Sequence, residues 1–360
     1  MLAVVCGAAR CIAEQPPTPR AEPCTPSFPY SDGWLGGDGG YSISLGGGRT
    51  LWLFADTFVG RDRARTRVGV QMVSNTIGVS ECSEDGWHIH YYWQRATSSA
   101  SARAFFNTDD SSVSYWPLDG FSYRGEVDIV LMRVVKTPEG GPFGFKIVGT
   151  NLARVTNPSA SPERWSISYS ILTDSESVLP GASIVLRPPY AYLFAVLDDS
   201  THHRHGIMLT RIALSRLDRP SDSIQYLARH GKWKHARDPR DVRVLVEDGA
   251  PEFSVRYHPE VGKWVLVQQN PRFGSGEIDV RFADRMEGSW SAYRPLAAEP
   301  EMNVNAHDRK IFCYAAREHS EFDPEPRVLL LTYACNSLDL DKLAGDLSIY
   351  RPAVLRAQLP

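Results

Sequence analysis

Five apolar segments recur along the chain at intervals of about 64 to 76 residues. Each is a nearly continuous hydrophobic run, as expected for a strand that is buried on both faces. The segments are Thr50–Asp56, Glu126–Met132, Tyr190–Leu197, Lys263–Gln269 and Arg327–Ala334. A shorter segment in which polar and apolar residues alternate precedes each run by one turn, which indicates a second strand. The pattern therefore predicts five antiparallel hairpins.

Tryptophan marks a second repeated feature, a turn that follows the long apolar run in four of the five units. These turns end at Trp87, Trp165, Trp233 and Trp290. Each lies where an outer strand would begin, so each unit is interpreted as four antiparallel strands. Radial repetition of such units builds a propeller. The sequence thus predicts an all-β fold, a five-bladed β-propeller of four-stranded antiparallel blades, as a single domain over residues 28–360.

The first predicted hairpin lies in a segment with eight glycines and two aspartates, residues 36–60. Glycine allows the innermost strands to approach a crowded axis closely. Because an antiparallel hairpin returns to the face where it began, Asp38 before its first strand and Asp56 after its second should lie on one face. Adjacent strands are about 4.8 Å apart, so the two carboxyl groups are expected about 5 to 10 Å apart. Carboxyl pairs at such separations cleave glycosidic bonds.

Polar and aromatic residues at corresponding strand ends of the other blades should surround this pair. The candidate substrate-binding residues are Trp34, Tyr41, Trp116, Asp119, Glu252, Asn270, Asn305 and His307. The alternative interpretation is structural. The aspartates would then cap glycine-rich turns by accepting backbone hydrogen bonds, and the aromatic side chains would pack in the propeller core.

Composition excludes several classes of function. The net charge is -3 and the isoelectric point is near 6.4, which is unfavourable for nucleic-acid binding because neutralising phosphates requires a basic surface. No run of 18 apolar residues is present, so no membrane insertion is expected. The sequence does not indicate an oligomeric state.

Metal sites and cofactors are not expected from the cysteine and histidine patterns. The sequence has no CxxC motif, and the cluster His202, His203 and His205 is interpreted as a solvated turn. A structural Ca²⁺ or Na⁺ ion in the propeller channel is left open. Cys313 and Cys335 fall on neighbouring predicted strands, where they could form a disulfide or remain buried thiols.

The N-terminal segment, residues 1–27, begins with small apolar residues and continues as a proline-rich linker. This resembles the end of a secretory signal peptide whose basic start is missing. We therefore expect a secreted or periplasmic protein. The alternative is an unstructured extension outside the true start of the protein.

Several motifs resemble a bacterial family known as a domain of unknown function. They are WLGGDGGYSISLGGGRTLWLFADTFVG, YWPLDGF, SVRYHPEVGKWVLV and YAAREHSEF, and the resemblance extends from about Trp34 to the C-terminus. Members of that family are five-bladed propellers, and some are endo-D-arabinanases that cleave mycobacterial cell-wall arabinan. The wider superfamily contains propeller fructosidases and arabinanases. Ala55 in FADTF departs from the glycine that the family more often has.

The resemblance implies a glycoside hydrolase that acts on a furanose-containing polysaccharide, with endo-D-arabinanase as the expected activity. We expect Asp38 to act as nucleophile or base and Asp56 as general acid, with the reverse assignment open. Asp119 and Glu252 would adjust the pKa values of the pair or hold sugar hydroxyls. The alternative function is a non-catalytic propeller that binds carbohydrate or protein.

Overall fold

Five antiparallel sheets surround one axis and form a β-propeller, as predicted. The computed structural model describes residues 24–61, 64–95, 101–138, 140, 144–199, 204–235, 241–323 and 325–360. Residues 1–23, which hold most of the signal-like segment, lie outside this part of the chain, as do His202 and His203. Among the described residues, no helix is both long enough and apolar enough to cross a membrane.

The first two blades are separated by a short ribbon. Blade 1 comprises β1 (Trp34–Gly46), β2 (Arg49–Val59), β3 (Gln71–Val73), β4 (Thr76–Ser83) and β5 (Gly86–Tyr92). The ribbon comprises β6 (Gln94–Arg95) and β7 (Ala102–Arg103). Blade 2 comprises β8 (Val113–Tyr123), β9 (Glu126–Lys136), β10 (Phe145–Val155) and β11 (Ile167–Thr173).

The remaining three blades complete the ring. Blade 3 comprises β12 (Val178–Arg187), β13 (Tyr190–Asp199), β14 (Arg204–Ala213), β15 (Gln225–Leu227), β16 (Trp233–Lys234) and β17 (Val244–Gly249). Blade 4 comprises β18 (Phe253–His258), β19 (Lys263–Gln269), β20 (Glu277–Ala283) and β21 (Arg294–Ala298). Blade 5 comprises β22 (Ile311–Glu318), β23 (Val328–Ser337) and β24 (Pro352–Gln358). Two short helices flank β22 and β23, namely α1 (Pro300–Val304) and α2 (Leu340–Gly345).

The five predicted hairpins are the innermost strand pairs of the five blades. They are β1–β2, β8–β9, β12–β13, β18–β19 and β22–β23. The second strand of each pair is the long apolar run, which lies between its partner and the third strand of the sheet. Its side chains on both faces are largely buried. Blades 2 and 4 have the predicted four strands, whereas the described residues give blades 1 and 3 additional strands and blade 5 three.

Hydrogen bonds from one innermost strand to the next connect blades 2 to 5. In each, a side-chain oxygen accepts from a backbone N–H of the following blade. The bonds run from Ile184 N to Asp119 Oδ2, from Val255 N to Ser183 Oγ and from Glu318 N to Ser254 Oγ, at 2.8–2.9 Å. The His319 Nδ1 atom, 2.6 Å from Ser42 Oγ, joins blade 5 to blade 1. These contacts are repeated because the blades meet at equivalent positions beside the axis.

Two disulfides cross-link the chain. Cys313 lies directly opposite Cys335 in the β22–β23 pair, and the two residues are bonded, which answers the question that the sequence left open. A second disulfide joins Cys24 to Cys82 and anchors the start of the described chain to β4. Bonds of this kind persist mainly in oxidising compartments.

Candidate functional site

The innermost hairpin of blade 1 brings Asp38 and Asp56 opposite each other. Gly37 pairs with Thr57 and Gly39 pairs with Phe54, so the single residue Asp38 faces the two residues 55–56 across a β-bulge. The bulge depends on Gly39, whose φ of +84° is easily adopted only by glycine. Both aspartates lie within strands rather than beyond their ends, which corrects the predicted strand limits and leaves the two residues on one face.

Both aspartates line a cleft of about 620 Å³ to which all five blades contribute. Representative residues from successive blades are Asp38 and Asp56, Trp116, Asp198, Glu252 and Tyr314. The lining is mostly apolar, with the carboxyl groups grouped among aromatic rings. Concave, largely apolar sites with a few convergent polar groups are typical of small-molecule and substrate binding.

The surroundings of the two carboxyl groups differ. Burial raises the pKa of Asp38 well above its usual range, and the charge of Asp56 raises this pKa further. The hydroxyl of Tyr314 donates a 2.6 Å hydrogen bond to Asp38 Oδ2 and opposes the rise, whereas Oδ1 has no hydrogen-bond partner among the described residues. An oxygen without a donor disfavours the ionised form.

Asp56 is better supplied with groups that stabilise its ionised form. Burial raises its pKa to about 6, and the hydrogen bond from Trp116 Nε1 to Asp56 Oδ1, 2.9 Å long, opposes this effect together with the charge of Lys136. Of the two carboxyl groups, Asp38 therefore has the surroundings that favour the protonated form more strongly, and Asp56 has those that favour the ionised form.

A buried arginine neutralises the third acid of the cleft. Arg317 Nη2 donates a 2.9 Å hydrogen bond to Glu252 Oε1, and the Arg317 side chain is 3% exposed. The Arg317 guanidinium carbon also lies 3.2 Å from the ring centroid of Tyr41, a cation–π contact. Tyr41 is 2% exposed, so its ring supports Arg317 below the cleft and is covered from any ligand. The predicted sugar contact by Tyr41 is corrected accordingly.

Two aromatic walls flank the carboxyl pair. On one side Trp116 packs edge-on against Phe145, with ring centroids 4.6 Å apart. On the other side Phe273, Phe312 and Tyr314 follow one another, with successive centroid distances of 5.1 and 5.6 Å. Phe273 stands at the rim and is 68% exposed. Trp116 in the first wall donates a hydrogen bond to Asp56, and Tyr314 in the second donates one to Asp38. Aromatic surface therefore extends from the carboxyl pair in two directions.

Blade 3 contributes a polar pair to the cleft, and His205 of this pair lies on β14, so its predicted place in a solvated turn is wrong. Asp198 and His205 lie opposite each other in the β13–β14 pair, with His205 Nδ1 3.2 Å from Asp198 Oδ1, and both line the cleft. Asn336 also lines the cleft and donates a 3.4 Å hydrogen bond to the Tyr314 hydroxyl. Sequence position could have indicated Asp198 and Asn336, because both follow the apolar segments of their blades and Asp56 ends the apolar segment of blade 1.

Two predicted contacts prove to be structural residues. Trp34 has no exposed surface, stacks on Tyr91 at 4.3 Å and donates from Nε1 to Thr76 Oγ1. A ring that is covered on all sides cannot stack on a sugar, so this prediction is corrected. Asp119 is 3% exposed and accepts hydrogen bonds from the backbone N–H groups of Gly120 and Ile184. Asp119 therefore links blades 2 and 3 and does not line the cleft.

The remaining predicted contacts lie outside the cleft lining. Asn270 is 8% exposed and donates a 2.8 Å hydrogen bond to Asp279 Oδ2. Asn305 follows α1 and donates to the carbonyl of Glu301 at 2.8 Å, and His307 is exposed beyond it. The Asn270 and Asn305 side chains are held by contacts within their own parts of the chain and do not reach the cleft lining. Of the eight predicted contacts, Trp116 and Glu252 line the cleft.

The matching family model covers residues 27–358 and is described as a domain of unknown function, DUF5005. The chain belongs to this family. No curated protein matches the chain with significant similarity.

Solved structures with the same fold come from several organisms. A protein from Bacteroides ovatus ATCC 8483, described as a candidate hydrolase, superposes with a TM-score of 0.72 at 16% identity, covering 91% of this chain and 86% of that one. An exo-β-1,3-galactanase from Phanerochaete chrysosporium has a TM-score of 0.50 at 11% identity, covering 94% and 66%. An endo-arabinase from Bacteroides thetaiotaomicron VPI-5482 has a TM-score of 0.48 at 13% identity, covering 93% and 98%. At these identities the first two matches establish the propeller fold.

Proposed function

We propose that this protein is a secreted glycoside hydrolase that cleaves a furanose-containing polysaccharide at internal bonds. The first substrate to test is a D-arabinan of the mycobacterial type. One observation carries the proposal: Asp38 and Asp56 face each other across a hairpin at the base of a cleft that is walled by aromatic rings. Glycosidic hydrolysis typically uses two carboxyl groups with different proton affinities, one as general acid and one as nucleophile or base.

The two aromatic walls support a polymeric substrate. Aromatic faces bind the apolar faces of sugar rings, and here such faces lead away from the carboxyl pair both towards Phe145 and towards Phe273. A chain of sugars lying across the pair would contact one wall on each side of the bond that is cut. Contacts on both sides favour cleavage within a chain over removal of terminal sugars. The two disulfides support export to an oxidising compartment.

The electrostatic difference between the carboxyl groups supports a division of labour opposite to the one first expected. Asp38, whose surroundings favour the protonated form more strongly, would donate its proton to the oxygen of the leaving sugar. Asp56 is ionised and would either attack the anomeric carbon or remove a proton from the attacking water. Tyr314 fixes the orientation of the Asp38 carboxyl group, and Trp116 does the same for Asp56.

The activity test uses purified protein and defined polysaccharides. The substrates are mycobacterial arabinogalactan, lipoarabinomannan, plant arabinan and a β-1,3-galactan, with released oligosaccharides separated by anion-exchange chromatography. We expect a ladder of oligosaccharides from an arabinan. Asp38→Asn and Asp56→Asn should each lower the rate by at least about a hundredfold, whereas Asp109→Asn, at an exposed loop position, should not change it. Product release that survives both cleft substitutions would contradict the site.

The roles of the two carboxyl groups are separable with an aryl furanoside that carries a good leaving group. Such a substrate needs little protonation, so Asp38→Asn should lose much less activity on it than on the polysaccharide. Asp56→Asn should lose activity on both, because the attacking step is affected in each case. The opposite result would restore the assignment with Asp56 as the acid. Binding of a polysaccharide without hydrolysis of any tested substrate would indicate a carbohydrate-binding propeller instead.

A further inference from the structure

A second polar cluster lies at the opposite end of blade 4 from Glu252. His258 ends β18, Glu318 ends β22 in the next blade, and Asp323 follows in the turn between β22 and β23. One ligand atom from each of these three residues lies within 4.8 Å of the other two. His258 is 4% and Glu318 2% exposed. The cluster therefore joins two blades at a mostly buried point away from the cleft.

The imidazole of His258 is held in a fixed orientation. Its Nδ1 atom lies 2.7 Å from the carboxylate of Glu260, which leaves Nε2 directed at Glu318 Oε1, 2.8 Å away. In metalloproteins a carboxylate on one imidazole nitrogen sets the tautomer and presents the other nitrogen to the metal. Glu260, His258 and Glu318 have this arrangement without requiring any side chain to move.

The buried carboxylate of Glu318 lacks the hydrogen bonds that such a group normally requires. Neither oxygen meets strict hydrogen-bond geometry with a described residue, and its neighbours are the His258 imidazole, in an ion pair, and the Asp323 carboxyl group. A buried carboxylate needs a cation or several donors to compensate for the loss of water. Three carboxylates surround one imidazole here, and the charge of the nearby Arg256 is shared between Glu318, Glu321 and Asp119, the last of which lies 3.6 Å away. The cluster is therefore short of positive charge.

We propose that His258, Glu318 and Asp323 bind a divalent first-row metal ion of the Zn²⁺ or Mn²⁺ class. One imidazole nitrogen and two carboxylates are ligands that suit these ions. The 2.8 Å separation of His258 Nε2 and Glu318 Oε1 subtends about 85° at an ion about 2.05 Å from both atoms. This angle suits a five- or six-coordinate site in which water supplies the remaining ligands.

The metal would connect the inner strands of blades 4 and 5. Polar contacts already link these strands, among them the Glu318 N–Ser254 Oγ hydrogen bond and the His258–Glu318 ion pair. An ion bound to both β18 and β22 would strengthen the contact that keeps the ring closed. Because the cluster shares no residue with the cleft, this inference is independent of the proposed hydrolase activity.

Metal binding is testable on the full chain with any affinity tag removed. After dialysis against chelator, isothermal titration with ZnCl₂ and with MnCl₂ should show one saturable site for at least one of the ions. Glu318→Gln and Asp323→Asn should each weaken binding at least tenfold, and Glu260→Gln should weaken it about 10- to 100-fold. His88→Gln, at an exposed histidine on β5, is the matched control and should bind as the wild type does. The thermal midpoint should rise with the metal in the wild type and not in Asp323→Asn.

Absence of a saturable site for both ions would overturn the proposal, as would binding that Glu318→Gln and Asp323→Asn leave unchanged. Loss of binding in His88→Gln alone would assign the metal to the surface and also overturn it. Glu318→Gln could fail to fold because Glu318 is buried. In that case Asp323→Asn decides, since an asparagine Oδ1 can still accept the hydrogen bond from Leu330 N that Asp323 accepts at 2.8 Å.

Discussion

Replacing Asp56 with asparagine should increase the stability of the folded protein at neutral and alkaline pH. Burial raises the pKa of Asp56 to about 6, whereas an unperturbed aspartate titrates near 3.8. A carboxyl group whose pKa is raised by folding ionises more easily in the unfolded chain, so its contribution to stability decreases as pH rises from below 3.8 to above 6. Asparagine removes this penalty, and its Oδ1 can still accept the hydrogen bond from Trp116.

The size of the effect follows from the two pKa values. Their difference, about two pH units, corresponds to a penalty of about 3 kcal/mol at pH 8, at about 1.36 kcal/mol per unit. This value is an upper limit because part of the Asp56 side chain reaches solvent. Below the lower pKa the carboxyl group is neutral in both states, so the penalty disappears near pH 3 to 4.

Urea unfolding with the disulfides kept oxidised measures the difference. The wild type, Asp56→Asn and the exposed-site control Asp109→Asn are compared at pH 8 and at pH 4. We expect Asp56→Asn to raise the free energy of unfolding by about 1–3 kcal/mol at pH 8 and by little at pH 4, with no such change for Asp109→Asn. An Asp56→Asn variant that is no more stable than the wild type at pH 8, or equally stabilised at both pH values, would refute the argument.

Three further substitutions probe other parts of the molecule. Phe273→Ala should raise KM for a polymeric substrate about three- to tenfold with kcat nearly unchanged, because an exposed wall ring is lost far from the reacting atoms; initial-rate kinetics would show a kcat effect instead if the ring has another role. Cys335→Ala breaks the bond to Cys313, which closes 22 residues, and should lower the free energy of unfolding by about 3 kcal/mol in urea titrations. Arg67→Met should lower the free energy of unfolding by at least about 3 kcal/mol in the same assay. Arg67 is 2% exposed and donates to four backbone carbonyls of blade 1 and the C-terminal segment. An unchanged unfolding midpoint would contradict either stability prediction.

The hairpins and the location of the aspartate pair could be predicted because local rules determine both. Alternation with a period of two identifies a strand, a doubly apolar run identifies a central strand, and a tight turn returns the chain to its starting face. These rules place Asp38 and Asp56 on one face from the order of residues 36–60 alone. The same rules also identify Glu252, which directly precedes β18, and Trp116, which lies within β8.

The side-chain environments could not be predicted because bulges interrupt the alternation. In β1 the register shifts between Trp34 and Gly37, and again on both sides of Gly39. A shift of one residue moves a side chain to the other side of the sheet, so the outward direction inferred at one end of β1 does not hold at the other. Trp34 consequently packs against Tyr91 in the core although it lies only four positions from Asp38.

The protonation states of the pair depend on parts of the chain that blade 1 does not contain. The donor to Asp56 comes from β8, 60 residues away, and the donor to Asp38 comes from β22, 276 residues away. Order along the hairpin is therefore a poor guide to which aspartate has the higher pKa, since two equivalent strand positions receive different partners once the ring closes. The first blade supplies the two carboxyl groups, and blades 2 and 5 supply the donors that make the surroundings of the two groups differ.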